Sequence, residues 1–185
     1  MIEWFDSTIL DWFLAHQNPV LTPVMHVFTL VGEGGILWIV LGLVLLIRKD
    51  TRKTGMVVLL ALLLCLLTCN VALKNIVARP RPFWRNTDVL LLIKAPTEFS
   101  FPSGHSTASF AAAFSVLLWN RRWGIAAILT ASLIAVSRIY FYVHYPTDVL
   151  AGALIGILIA VVAHRMICAL EKKGVFPWLK VKKPE

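Results

Sequence analysis
His144 and Asp148 stand four residues apart in the stretch Ser137-Arg138-Ile139-Tyr140-Phe141-Tyr142-Val143-His144-Tyr145-Pro146-Thr147-Asp148. Asp148 is placed to accept one imidazole N–H, which fixes the tautomer and leaves the other ring nitrogen free to attack phosphorus. A satisfied interfacial His–Asp pair has the same spacing, so this stretch alone leaves both readings open. His105 lies in a second stretch, Phe101-Pro102-Ser103-Gly104-His105-Ser106. At the first turn of a helix it can hand a proton to a leaving oxygen, while Gly104 admits close backbone approach and free N–H groups favour an anion. An ordinary capping turn with Ser103 as N-cap is the alternative. The third stretch is Lys74-Asn75-Ile76-Val77-Ala78-Arg79-Pro80-Arg81-Pro82. Its prolines force an extended chain, so Arg79 and Arg81 can turn back toward the Lys74 ammonium. Arginine offers phosphate oxygens a two-pronged fork and lysine a point charge. With Arg138, these side chains could position a phosphoryl group and stabilise its charge, which is most of what phosphoryl transfer needs.

Residues so far apart in the chain need a scaffold to bring them together. Of the 185 residues, 58% are hydrophobic and 15% charged, against about 45–50% and about 25% in soluble domains. Mean hydropathy is +0.77, and the excess lies in long runs, the mark of membrane spans. The expected architecture is an all-α polytopic helical bundle, a single domain over 1–185 whose motif core is 74–148. About five transmembrane helices are expected, roughly Pro23–Ile47, Gly55–Val77, Gly104–Trp119, Trp123–Tyr142 and Thr147–Leu170. Gly32-Glu33-Gly34-Gly35 interrupts the first of them, and the stretch beyond is too short to cross alone at ~1.5 Å per residue, so the break is expected inside the membrane. Residues 3–16 place Trp4, Phe5, Ile9, Trp12 and Phe13 at helical spacing, with Asp6 and Asp11 elsewhere, which predicts an amphipathic helix at the interface. Residues 1–20 lack a basic n-region, so no cleavable leader is expected.

Orientation follows from lysine and arginine. Arg48, Lys49, Arg52 and Lys53, then Arg121 and Arg122, then Arg165, Lys172, Lys173, Lys180, Lys182 and Lys183 fall on one side of a five-span layout, the cytoplasm. Trp84, Trp119, Trp123 and Trp178 lie near span ends, as interfacial aromatics do. The 78–103 connection and the 143–146 turn then face outward together. Arg79, Arg81, Arg85 and Lys94 stand on that outer side, joined by Lys74 and Arg138 at span ends. Ionisable groups at such depths are costly and usually mark function, with lipid head-group anchoring as the alternative for any single arginine. The net charge of +8 sits in short loops between apolar runs, which favours lipid phosphate and membrane lipids as partners over nucleic acid. Cys65 and Cys69 share a helix face, as a metal or redox pair or as small residues of a lipid-embedded helix. His16, His26 and His164 have no such company and are expected to be structural.

In order, spacing and residue identity, Lys74-x6-Arg81-Pro82, Pro102-Ser103-Gly104-His105 and Ser137-Arg138-x5-His144-x3-Asp148 resemble the three-part signature of the type 2 phosphatidic acid phosphatase superfamily. That superfamily also includes bacterial acid phosphatases, glucose-6-phosphatase and vanadium haloperoxidases. The resemblance implies that His144 is the nucleophile and forms a phosphohistidine, with Asp148 orienting it. His105 would protonate the leaving lipid oxygen and later activate water. Lys74, Arg81 and Arg138, with the backbone N–H groups of Ser103 and Gly104, would hold the phosphoryl oxygens, with no cofactor and no metal. Only one carboxylate, Asp148, lies in the clusters, too few for a dedicated metal site. Arg79 lies outside the signature: a contact to a second phosphate or a surface role are its two readings. Glu33 lines the pocket or lies near the outer interface.

The implied enzyme is a bacterial plasma-membrane lipid phosphatase with its site facing outside and its C-terminus in the cytoplasm. Undecaprenyl pyrophosphate is the first substrate expected; phosphatidylglycerophosphate and phosphatidic acid are the alternatives. From other classes, an anion transporter or channel would need cations in its spans but no His–Asp pair beside a second histidine. A vanadate-dependent peroxidase would share the oxyanion pocket.

Overall fold
The computed structural model describes residues 2–176; Trp178, Lys180, Lys182 and Lys183 lie outside them. The expected all-α bundle is what the chain forms. In chain order the helices are α1 (Ile2–Ala15), α2 (Leu21–Val31), α3 (Ile36–Ile47), α4 (Arg52–Cys65), α5 (Lys74–Val77), α6 (Pro82–Arg85), α7 (Gly104–Trp119), α8 (Arg121–Tyr140) and α9 (Pro146–Lys172). A single 3₁₀ turn, Glu33–Gly35, joins α2 to α3, and a π-helical stretch, Leu66–Leu73, joins α4 to α5.

Arg52–Arg85, α8 and α9 are each long and apolar enough to cross a membrane, and α2 with α3 qualifies as one span bent by 44°. The bend sits on the glycines: Gly34 and Gly35 have φ of 58° and 70°, a left-handed backbone that only glycine adopts without penalty. The remaining expected span, α7, has 16 residues, about 24 Å at 1.5 Å per residue. It packs against α4, α8 and α9. Its inward residues are small, with Ser106, Ser109, Ala111, Ala112, Ala113 and Ser115 all buried. Small residues suit a lipid solvent, where helices associate by close packing and not by hydrophobic exclusion. The approach to α9 is close, since a Cβ on Gly156 would lie 2.4 Å from the Thr107 carbonyl oxygen. Trp38 of α3 closes the core and donates its indole N–H to Ser109 Oγ at 2.9 Å. Leucines such as Leu43, Leu63, Leu129 and Leu154 point outward and stay exposed, the arrangement expected of a lipid-facing surface.

The N-terminal helix departs from its expected orientation. Its aromatic stripe is split: Ile9 and Phe13 pack inward, whereas Trp4 and Trp12 are 71% and 56% exposed. Asp6, expected on the polar outer face, is 1% exposed. A set of polar partners beneath the helix, described below, outweighs the cost of burying the carboxylate.

Candidate active site
Each cluster is delivered by a local backbone device. In the π-helical stretch the Lys74 N–H bonds to the Cys69 carbonyl, five residues back, and such wide turns occur mostly at functional sites. Ala78 then ends α5 in a left-handed conformation, with φ 46°, and Arg81 is extended before Pro82 opens α6. Ser103 caps α7, accepting from the Ser106 N–H at 3.4 Å, so the capping reading of that stretch holds. At the end of α8 the Arg138 carbonyl accepts from both the Val143 and His144 N–H groups. That turn folds His144 back over Arg138, which is why five intervening residues suit the pair.

Backbone bonds also join the three clusters. Ser100 N–H donates to the Arg79 carbonyl at 2.8 Å, and Ser103 N–H donates to the Asp148 carbonyl at 3.2 Å. The Arg81 guanidinium donates to the carbonyls of Glu98 at 2.5 Å and Val143 at 2.7 Å. Its Nη1 also lies 3.2 Å from His144 Nε2. One cavity of about 870 Å³ is lined by Lys74, Arg81, Gly104, His105, Arg138 and His144. Its walls continue along apolar residues of α3, α4 and the π-helical stretch, among them Ile39, Leu59, Leu62, Leu63 and Leu66. His26, expected to be structural, also lines it.

His144 is buried and faces the cavity with Nε2. Its Nδ1 side differs in detail from expectation: Asp148 Oδ2 is 3.7 Å away, too far for a hydrogen bond. Ser100 fills the gap, donating its hydroxyl to Asp148 Oδ2 at 2.5 Å with its oxygen 3.4 Å from Nδ1. The hydroxyl proton is thus committed to the carboxylate, so Ser100 Oγ faces Nδ1 as an acceptor, and the tautomer with hydrogen on Nδ1 leaves the Nε2 lone pair to accept from Arg81 Nη1 at 3.2 Å. The imidazole pKa is pushed down from 6.5 to about 3, chiefly by burial; Asp148 opposes this, and the charges of Arg81 and Arg138 add to it. Burial thus favours the neutral imidazole at His144.

Across the cavity, His105 Nε2 has no hydrogen-bond partner and lies 3.5 Å from Glu33 Oε2. A buried polar atom left unpaired over a cavity is a place for a ligand atom. Arg138 donates from Nη1 to Thr29 Oγ1, and its Nε is likewise unpaired. Lys74 pairs with Glu98, which holds the Glu98 carboxyl below its usual range. The glutamate thus sits where an anion would meet the lysine. Glu33 and Glu98 add two carboxylates to the one expected, and both line the cavity.

Arg79 does not join this group. Its guanidinium donates to Asp148 Oδ1 at 2.5 Å, Asp6 Oδ2 at 2.6 Å and Thr147 Oγ1 at 2.8 Å, and it stacks 3.9 Å over the Tyr145 ring. It lines a separate cavity between α1 and α6. The expected contact to a second phosphate is not what it makes, because three acceptors hold it behind Asp148. Cys65 and Cys69 are free and buried, and among the described residues no three His, Cys, Asp or Glu side chains converge as a metal site would require.

Residues 54–171 match the PAP2 superfamily. The chain belongs to that family. The PAP2 match encloses all three clusters and every helix from α5 to α8, together with nearly all of α4 and α9. This PAP2 superfamily member is 38% identical over 120 residues to an undecaprenyl-diphosphatase of Sulfolobus acidocaldarius, covering 64% of this chain and 58% of that relative. The alignment thus spans less than two thirds of the archaeal protein. It is 30% identical over 156 residues to undecaprenyl-diphosphatase BcrC of Bacillus subtilis, covering 82% of this chain and 78% of the relative. In three dimensions it is similar to a transmembrane PAP2-type phosphatidylglycerolphosphate phosphatase of Bacillus subtilis, with TM-score 0.72 and 26% identity over 93% of this chain and 87% of that one.

Sequence reasoning did not find Ser100, Glu98, Thr29 or the role of Asp6. Ser100 could have been suspected from its place two residues before Pro102. Asp6 could have been suspected as a carboxylate on an otherwise aromatic helix.

Proposed function
We propose that this protein hydrolyses a membrane lipid phosphate on the extracytoplasmic face of the plasma membrane, with undecaprenyl pyrophosphate as its substrate and a phosphohistidine at His144 as the intermediate. The single observation that carries this reading is the convergence of His105 and His144 with Lys74, Arg81 and Arg138 on one cavity whose walls run on as apolar helix faces. Phosphoryl oxygens sit among Lys74, Arg81, Arg138 and the α7 N-terminus, and the prenyl tail lies along Leu59, Leu62, Leu63 and Leu66. His144 Nε2 attacks phosphorus, the bond from phosphorus to the bridging oxygen breaks, and His105 protonates that oxygen as it leaves. Neutral His105 then takes a proton from water, the hydroxide attacks the same phosphorus, and the P–N bond breaks to release phosphate and restore His144. Asp148, with Ser100, holds the Nδ1–H and balances the positive charge that the imidazole gains while phosphorylated.

The names of two relatives favour the prenyl pyrophosphate. The similar solved structure favours phosphatidylglycerophosphate as the second reading. Purified protein assayed in one detergent, with EDTA present, against undecaprenyl pyrophosphate, phosphatidylglycerophosphate and phosphatidic acid separates them. The reading predicts the highest kcat/KM for the pyrophosphate and complete loss in His144→Ala. Preference for either glycerolipid would replace the substrate, and release that persists in His144→Ala would remove the nucleophile.

A further inference from the structure
Behind the His144–Asp148 pair lies a line of charges that the phosphatase chemistry does not by itself require. Asp148 is fully buried, and each of its oxygens is committed. Oδ2 accepts from Ser100 Oγ at 2.5 Å and the Tyr145 N–H at 3.0 Å, and Oδ1 accepts from Arg79 Nη1 at 2.5 Å. The other arm of the Arg79 fork reaches Asp6 Oδ2 at 2.6 Å. Asp6 in turn accepts from Thr147, through the backbone N–H at 3.0 Å and the hydroxyl at 2.6 Å. One carboxylate of α1 therefore caps the first turn of α9 and holds the arginine that holds Asp148.

We propose that Asp6 is a positioning residue for the nucleophile: it fixes the Arg79 fork and cancels its charge, so that Asp148 faces His144 as a rigid carboxylate of undiminished negative charge. The charge count supports this. Asp6, Arg79 and Asp148 together carry −1, whereas Arg79 and Asp148 alone are neutral. The imidazole becomes cationic as Nε2 bonds to phosphorus, so a net negative group behind Nδ1 stabilises the phosphorylated form more than the free one. Interactions stronger in the transition state than in the ground state raise kcat and leave KM alone. Asp6 touches neither the substrate cavity nor His144, so it acts through Arg79 and Thr147 on Asp148. As a consequence α1, whose Trp4 and Trp12 are exposed on its outer side, belongs to the catalytic unit as well as to the membrane interface.

The inference rests on His144 being the nucleophile. It is tested by rapid-quench measurement of phosphoenzyme formation, with steady-state kcat and KM, on the full chain in detergent with a lipid phosphate substrate. Asp6→Asn is nearly isosteric and should slow phosphoenzyme formation and kcat by about tenfold, with KM changed less than about twofold. Asp6→Glu, which restores the charge, should recover most of the rate. Asp11→Asn removes the same charge from an exposed position of the same helix and should change nothing. Should Asp6→Asn fail to fold, Arg79→Lys, which keeps the charge but loses the fork, carries the same prediction of lost kcat at constant KM. Wild-type kcat in Asp6→Asn, or equal losses in Asp6→Asn and Asp11→Asn, would overturn the inference alone. Absence of a phosphoenzyme in the wild type would overturn the underlying reading, and the inference with it.

Discussion

At the scale of single residues, the site is a set of buried polar groups that hold one another, with His105 Nε2 and Arg138 Nε left unpaired. Asp148 could be paired with His144 from spacing alone, because a carboxylate four positions beyond a histidine at a helix start is well placed to reach back. The hydroxyl between them could not, since its position depends on how the 78–103 connection folds over α9. Ser100→Ala should leave Nδ1 and Oδ2 3.7 Å apart with nothing bridging them, lowering kcat by about 10–100-fold at nearly constant KM, as loss of an orienting hydrogen bond does. Steady-state kinetics in detergent checks this, and unchanged kcat would remove Ser100 from the relay. His144 makes a pH prediction of definite sign. Between pH 6.5 and about 3 the unfolded chain carries a proton on this imidazole that the folded chain lacks. Stability therefore falls as pH falls through that window, by up to about 1.4 kcal/mol per pH unit for one proton. Melting curves over this range should lose one proton's worth of slope in His144→Asn, and an equal slope in both proteins would contradict the depressed pKa.

At the scale of elements, the site depends on how closely α7 approaches α9, since His105 rides on the first and Asp148 on the second. Gly156 sets that approach, with the Thr107 carbonyl 2.4 Å from where a Cβ would be. A backbone atom cannot rotate away, so Gly156→Val should push the helices apart. It should cost about 1–3 kcal/mol, as other overpacked contacts do, and lower kcat by separating the two histidines. Thermal melting and kinetics on one preparation test both, and a normal melting temperature with normal kcat would show the contact to be soft. Helix positions were legible in the sequence because hydrophobic runs end at Arg, Lys, Asn and Pro residues that lipid excludes. The Gly32–Gly35 break was legible for the same kind of reason, glycine being the one residue suited to two successive left-handed positions. The facing of α1 was not. Its periodicity marks one apolar stripe, but lipid and protein core both accept apolar side chains, so the pattern cannot say which of the two covers it. Asp6 decides the matter through Arg79, a partner 73 positions away that no local window contains.

At the scale of the whole molecule, three clusters dispersed over residues 74–148 meet at one cavity, and the positive loops elsewhere are the ground for expecting it to face outward. If the cavity faces outward, a cysteine introduced as Lys94→Cys, beside the cavity, should react with an impermeant maleimide in intact cells. Arg121→Cys, at the start of α8, should react only after permeabilisation; the reverse pattern would invert the topology. The meeting of the clusters was legible because lysine, arginine and histidine at span ends are too costly to be scattered without purpose. The lipid the site selects was not, because apolar walls built from leucine carry no head-group code. The central claim is that His144 bonds covalently to phosphorus, and the most direct measurement is acid- and base-quenched trapping of protein incubated briefly with substrate labelled with radiophosphorus in the phosphoryl group to be transferred. The account predicts a label stable to alkali and labile to acid, on the peptide that contains His144, absent in His144→Ala and persistent in a His105 variant slow to activate water. A turnover-competent enzyme that never carries the label, or carries it on another residue, would contradict it.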